Sequence, residues 1–533
     1  MSQLGDFESK DFIEQVSLMG SLAQNKSYES IPEIIGLFEK ISRHDAIGLV
    51  IRDTVKSLFA GSEDHTALFL ESQNPEVQRI CIEVAGQKAF ESTGDALLRI
   101  ADKAIDRKDY GLLFAVITSL SQVQPPAALD LFKRCMDYED PLVSSQCIEI
   151  LGAAGDVSST GRMCEIVSEA ETNTFGGECD LPAASAIRAL ARIKDKEAVS
   201  FLASKVHHLN PAARRLIHQE LVNLGPSAVP ALASVFQHGD VDEKILAADV
   251  LGRIGTREAG DTLVKALDKG LAPHPNIRFS IYEALGKIPG MTSLVCLADA
   301  LEETDEMVLI AVASSLDTHL NPWIVEKISG TILAEKEHGA KLAKAVIASR
   351  SLNIFESLYA GNETVAALLI GEVRDSRDEE LTGLFREKLQ SMPSDRAVSD
   401  ARALAGVPGK TGGRHILAVD DSRAMLNFYR SVASSMGMKI SVAENGKEAL
   451  DILSGSEKPC LVITDMNMPV MDGIEFIDHV RCMPGHADIP ILMSTTESES
   501  SQEDLARQAG ATGFIRKPFS AEKLQEIIRQ HLS

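Results

Sequence analysis

Aromatic side chains are scarce: Phe, Tyr and Trp make up 5% of the 533 residues, and Trp323 is the single tryptophan. Strands draw heavily on aromatic and β-branched residues, so this scarcity points to cores built from Leu, Ala, Ile and Val in helices. No stretch approaches the roughly 18 apolar residues a membrane helix needs. Residues 1–10 hold no basic segment followed by an apolar run, so neither a secretory leader nor a membrane span is expected. Basic side chains are outnumbered, 53 Lys and Arg against 77 Asp and Glu, for a net charge of −24. From Arg414 onward 12 basic residues face 17 acidic ones, and the rest of the excess acid lies upstream. Gripping nucleic-acid phosphates needs clustered Lys and Arg, so no nucleic-acid partner is expected of either part. The eight cysteines include no C-x-x-C pair. That excludes the common zinc and dithiol motifs and leaves buried, reduced thiols in a cytoplasmic protein as the expectation.

A chain this long exceeds a single hydrophobic core, and the first 390 residues repeat themselves. Leu190-Ala191-Arg192-Ile193 with Glu197-Ala198 echoes Leu251-Gly252-Arg253-Ile254 with Glu258-Ala259. Comparable small-apolar junctions fall at Ala85, Leu120, Leu151, Leu221, Leu285 and Leu316, giving steps of 35, 31, 39, 31, 30, 34 and 31 residues. The long step contains an insertion at 172–180. Each unit starts on a cap and a proline (Asn74-Pro75, Asp140-Pro141, Asn210-Pro211, His274-Pro275). The cap side chain accepts from orphan backbone N–H groups, and proline suits the first turn because its missing N–H has no partner there. Apolar residues then recur at helical spacing, as at Ile245, Ala248, Leu251 and Ile254, and a glycine such as Gly225 or Gly255 ends the helix before a second one. Neither helix buries its face alone, so the units must stack.

In this grammar the segment from Asn74 to Leu352 resembles HEAT-like repeats, with residues 1–60 and 353–391 as helical flanks. The resemblance implies a curved solenoid that binds an unidentified protein partner. Phycobilin lyases are built from similar repeats, which keeps a receiver-regulated enzyme open as a lesser alternative. No nucleophile–base pair is legible in the array, so no enzyme is expected. Cys164 and Cys179 read as structural, and His207-His208 as a solvated loop pair.

Residues 391–413 hold Pro393, Pro408, Gly406, Gly409, Gly412 and Gly413. They read as a flexible tether, with a short helix near Asp400. Beyond it the period changes. Short strand-like runs at 416–419, 440–442, 461–463, 491–493 and 514–515 alternate with amphipathic helices such as 423–434 and 521–531, which predicts a doubly wound (βα)5 domain over 414–533. The whole chain is thus expected to be a helical solenoid at 1–390, a tether at 391–413 and a (βα)5 domain. In such a sheet ligands bind at the carboxyl ends of the strands. Asp420 and Asp421 end the first strand, Asp465 the third, Thr495 the fourth and Lys517 the fifth. Three carboxylates at one edge repel one another unless a cation joins them, and hard oxygen donors with room for water suit Mg²⁺.

These residues, with Asp465-Met466-Asn467-Met468-Pro469, Asp472-Gly473 and Lys517-Pro518-Phe519, resemble the response-regulator receiver domain of chemotaxis type. The resemblance covers the whole segment from Arg414. It implies that Asp465 accepts a phosphoryl group from a phosphohistidine on a histidine kinase or phosphotransfer protein. It implies a Mg²⁺ site of Asp420, Asp421, Asp465 and the backbone carbonyl of Asn467. Lys517 would pair with a phosphoryl oxygen, Thr495 would donate its hydroxyl to the acyl phosphate, and Phe514 would be the switch aromatic that turns inward behind Thr495. Asn467 and Glu497 stand where the family tunes hydrolysis of the phosphoryl group. The reading is a two-component response regulator with the array as protein-interaction output. A chemotaxis-type adaptor or phosphate sink is its alternative.

Overall fold

The computed structural model describes residues 4, 6–38, 40–41, 45–171, 179–376, 378–405, 414–455, 458–495, 500–517 and 519–532. The chain forms two compact units, Met1–Ala170 with Asp180–Asp195, and Glu171–Cys179 with Lys196–Ser533.

In the first unit the helices Pro75–Lys88, Tyr110–Val123, Pro141–Ala154 and Leu181–Ile193 pack one on the next. The small junction residues explain the close approach. A Cβ added at Gly152 would lie 2.5 Å from the Cβ of Ala189, and one at Gly86 would lie 2.8 Å from Ser119. Asn74 Oδ1 accepts from the N–H groups of Glu76 and Val77, and Asp140 Oδ1 from those of Leu142 and Val143, so both cap-and-proline starts work as expected. The insertion at 172–178 lies outside the described residues.

The second unit continues the pattern. Its proline-started or acid-capped helices Pro211–Leu224, Val241–Ile254, Pro275–Lys287 and Glu306–Asp317 pack in succession, followed by Lys336–Ala348 and Glu363–Ser376. Gly252 meets Ala284 and Gly286 meets Ser315 at 2.8 and 2.5 Å from an added Cβ, the same small-on-small contact that recurs in the first unit. Gly255 ends its helix at φ +69°, a left-handed conformation that glycine adopts without steric cost.

One expectation is corrected here. The expected solvated pair His207-His208 is not solvated at His208, which is fully buried and accepts the N–H of Asn210 on Nδ1 at 3.0 Å. The short helix expected near Asp400 is present and packs against the preceding helix. Asp395–Ala405 is a helix packed on Glu379–Gln390, with Ala397, Ala401 and Leu404 buried and Asp400 accepting from Tyr359 Oη at 2.6 Å. An alanine-spaced apolar stripe was enough to bury this segment. Residues 406–413 lie outside the described residues.

The (βα)5 domain at the end of the second unit has strands β1 (His415–Val419), β2 (Lys439–Ala443), β3 (Leu461–Asp465), β4 (Ile491–Thr495) and β5 (Gly513–Arg516). All pair in parallel in the order β2-β1-β3-β4-β5. The crossover helices are α1 (Arg423–Ser435), α2 (Gly446–Leu453), α3 (Gly473–Cys482), α4 (Ser500–Ala509) and α5 (Ala521–Leu532). α1 packs beside α5, while α2, α3 and α4 pack in series. β1, β3 and β4 are buried along their whole length, as strands covered on both faces must be. Leu417, Val419, Val462, Ile491 and Met493 meet Phe476, Ile477 and Val480 of α3 in one core.

Candidate functional site

Each parallel strand ends at the same edge, and the polar residues singled out in the sequence stand there. Asp420 follows β1, Asp465 ends β3, Thr495 ends β4 and Lys517 follows β5. Lys517 Nζ donates to Asp420 Oδ2 at 2.9 Å and to Asp465 Oδ1 at 2.7 Å. Its own backbone N–H donates to Thr495 O at 2.8 Å, which fastens the β5 exit to β4. The second oxygen of Asp465 accepts the N–H of Asn467 at 3.0 Å, and Asp420 Oδ1 accepts that of Ser422 at 3.0 Å. Asp465 is 9% exposed and Asp420 1%.

The loop after β3 depends on Asp472-Gly473. Asp472 caps α3 by accepting the N–H of Glu475 at 2.9 Å. A Cβ on Gly473 would sit 2.2 Å from the backbone oxygen of Asp465, so any other residue would displace the strand end that carries the carboxylate.

The electrostatics are those of an acidic cluster short of cations. Burial pushes the Asp420 carboxyl up to about 7, with Asp465 adding to the shift and Lys517 opposing it. Asp421 is itself exposed to the cavity, where desolvation by the cavity walls and the charges of Asp249, Asp420 and Asp465 drive it above the usual carboxylate range, against the pull of Lys287. Burial works against the charge of Lys517, yet Asp420 and Asp465 hold its ammonium well above the ordinary lysine value. Hard carboxylate donors that resist ionisation together are the donor set a Mg²⁺ ion suits, because a divalent charge restores both carboxylates to the ionised form. The residues present fit that ion by chemistry. Among the described residues no three His, Cys, Asp or Glu side chains are gathered as tightly as ion coordination needs, and the Lys517 ammonium stands between two of the candidates.

The remaining sequence candidates are also located. Asn467 borders the site, and Thr495 is buried with its Cα register opposite Arg516. Phe514 lies on β5, half-buried against the receiver core, with the Arg507 guanidinium 4.9 Å above its ring. Glu497 and Pro518 lie outside the described residues.

Other residues at the site were not anticipated from the sequence. The array helices face the same edge, enclosing with it a cavity of about 730 Å³. Arg215 pairs with Asp472 and, at 3.2 Å, with Glu475. Ser422 Oγ donates to Glu283 at 2.7 Å. Lys287, on the same helix as Glu283, donates to Asp249 at 3.2 Å; both line the cavity beside Asp421. Helix α1 rests on Glu306–Asp317, Lys336–Ala348 and Glu363–Ser376, and Asn427 Nδ2 donates to Ser349 O at 2.9 Å. Tyr429, fully buried on α1, stacks on Phe519 with ring centroids 6.2 Å apart. No local motif marks the array residues, because their partners lie up to 257 positions away.

A five-stranded parallel sheet with this edge defines a receiver-type domain. Residues 416–529 match the family described as the response regulator receiver domain, and residues 229–317 match HEAT repeats. Over 118 residues the chain is 38% identical to a chemotaxis protein CheY homolog of Campylobacter jejuni, covering 22% of this chain and 91% of that one. Chemotaxis protein CheY1 of Helicobacter pylori is 36% identical over 112 residues, 21% of this chain and 90% of its own. Among solved structures, the chemotaxis response regulator CheY4 of Vibrio cholerae is similar at 34% identity, covering 22% of this chain and 98% of its own, with a TM-score of 0.22. The chain belongs to the CheY-like response-regulator family, with its receiver domain C-terminal to HEAT repeats. No helix among the described residues is long and apolar enough to cross a membrane.

Proposed function

We propose that the chain is a cytoplasmic response regulator of a two-component phosphorelay that accepts a phosphoryl group on Asp465. The observation that carries the reading is the Lys517 ammonium bridging Asp420 and Asp465 at the strand ends. A carboxylate held by a lysine, on a strand end open to a cavity, is a nucleophile with a cation already beside the phosphoryl oxygens it would acquire. Asp420, Asp421, Asp465 and the backbone carbonyl of Asn467 are the groups that would hold Mg²⁺. When bound, that ion neutralises charge on the phosphoryl group. Lys517 supplies a compact point charge to one phosphoryl oxygen, and Thr495 supplies a hydroxyl from the adjacent strand end. Phe514 is the proposed switch, on the strand that also positions Lys517.

The donor in this reading is a phosphohistidine on a histidine kinase or phosphotransfer protein. The array then acts by binding a protein rather than by catalysis, and its helix stacking supports that role through a broad surface rather than a chemical site. The test is Asp465→Asn in the full chain with acetyl phosphate and Mg²⁺, followed by intact-mass spectrometry. Complete loss of the phosphorylated species is expected, since the amide keeps the shape without the nucleophilic charge. Full labelling of the variant would remove Asp465 from the role.

A further inference from the structure

The edge that carries Asp465 is shared with the array, and the contacts across it are specific. Arg215 pairs with Asp472, the N-cap of α3, whose side chain is 6% exposed, and with Glu475 in the first turn of that helix. Glu283 holds Ser422, two residues from Asp420. Asn427 of α1 is 8% exposed and tied to the backbone of Ser349. A cationic clasp and a hydroxyl–carboxylate bond thus fasten the receiver at the cavity that holds Asp465, and an amide–carbonyl bond fastens it again through α1. Between array and receiver lies a partly open cleft of about 730 Å³ lined from both sides. That volume is typical of small-ligand sites, roughly 300–1,000 Å³. A protein donor is recognised differently, through an interface on the order of 1,000 Å² of joint surface rather than within a cavity. To reach Asp465 a protein must lie over the strand-end loops, and those are the loops the array already faces.

We propose that the array sets which phosphodonors reach Asp465: in the clasped chain a small acyl phosphate enters the cavity, whereas a protein bearing a phosphohistidine is excluded until the Arg215 clasp opens. The inference rests on the reading of Asp465 as acceptor and adds Arg215 as a specificity residue that acts through Asp472 and Glu475. With acetyl phosphate, a carboxylate oxygen of Asp465 bonds to phosphorus as the phosphorus–oxygen bond to acetate breaks, and acetate leaves with the electron pair. With phosphohistidine the breaking bond is phosphorus–nitrogen; the imidazole nitrogen keeps the pair and takes up a proton from solvent. The acceptor chemistry is common to both, so the difference between them lies in access. An upstream partner that unclasps the array would therefore act as a gate on kinase input.

The experiment compares the full-length wild type, Arg215→Glu, and the charge swap Arg215→Glu with Glu475→Arg. Each is labelled with acetyl phosphate, and with whichever of a panel of phosphorylated histidine kinases labels Arg215→Glu fastest. Hydrogen exchange across residues 420–427 and 467–475 is measured in parallel, without any donor. The expected result is faster exchange in Arg215→Glu, protein-donor labelling raised about tenfold, and acetyl phosphate labelling changed less than twofold. The charge swap should return protein-donor labelling and exchange toward wild type, which loss of structure alone would not do. Equal protein-donor rates in wild type and Arg215→Glu would overturn the inference and leave the acceptor reading intact. So would labelling of Arg215→Glu by acetyl phosphate but by no kinase. Absence of labelling by any donor in all three chains would overturn both.

Discussion

The array and the receiver solve opposite problems with the same kinds of residue. In the array, many charged side chains pair at the surface, as Arg99 and Lys103 do with Glu71, and the buried positions are filled mainly by Leu, Ile, Val and Ala. Such exposed pairs contribute little, with a median of about 0–1 kcal/mol; stability comes from the stacked apolar faces. In the receiver the ionisable side chains of Asp420, Asp465 and Lys517 are packed together with little solvent, a costly arrangement offset by the hydrogen bonds of Lys517 to both carboxyl groups. The array therefore tolerates local change, whereas the receiver concentrates its constraints at one edge.

That contrast can be broken most forcefully at glycine. Gly473→Ala should destabilise the receiver by more than about 3 kcal/mol, because the new Cβ meets a backbone oxygen rather than a movable side chain. Urea unfolding followed by fluorescence of dye-labelled Cys482, which is exposed on the receiver, would show the receiver transition shifted. A shift below 1 kcal/mol would mean that the loop after β3 is less constrained than its geometry indicates.

A second comparison concerns protons. Burial holds His218 down to about 4, and its Nε2 donates to Val206 O at 2.7 Å, so the folded array keeps it neutral. The unfolded chain has the ordinary value of about 6.5 and binds the extra proton. The stabilisation is complete above pH 6.5 and is lost as pH falls toward 4, by as much as about 3 kcal/mol. Unfolding midpoints at pH 7.5 and 4.5 should show this loss in the wild type and a flatter profile in His218→Gln. Equal slopes for both would assign the acid sensitivity elsewhere.

The smallest effect is expected at an array glycine with open space around it. Gly330 lies in the helix Pro322–Ala334 and an added Cβ would meet nothing within 4 Å. Gly330→Ala should raise stability by about 0.5–1 kcal/mol through lower helix-forming entropy cost. A decrease in thermal midpoint would indicate a contact at that face.

Much of this molecule could be read from its sequence because the relevant physics is local. Asn74-Pro75 and Asp140-Pro141 cap their own helices within three residues, and Leu-Gly junctions recur because each helix needs the same close neighbour. The strand-end residues Asp420, Asp465, Thr495 and Lys517 are far apart in the chain, but a parallel sheet carries every strand end to one edge, so strand pattern alone placed them together. Other features were illegible for equally physical reasons. The short helix near Asp400 could be read, but its docking could not: only the surface offered by Glu379–Gln390 makes its Ala397, Ala401 and Leu404 a buried stripe. His208 reads as a loop residue until Asn210 turns its backbone N–H onto the ring. The union of array and receiver was beyond sequence altogether. Arg215 finds Asp472, and Asn427 finds Ser349, across 257 and 78 positions of chain, a separation that no local pattern encodes. Local composition determines each helix and strand; long-range packing of the array against the receiver decides what stands over Asp465.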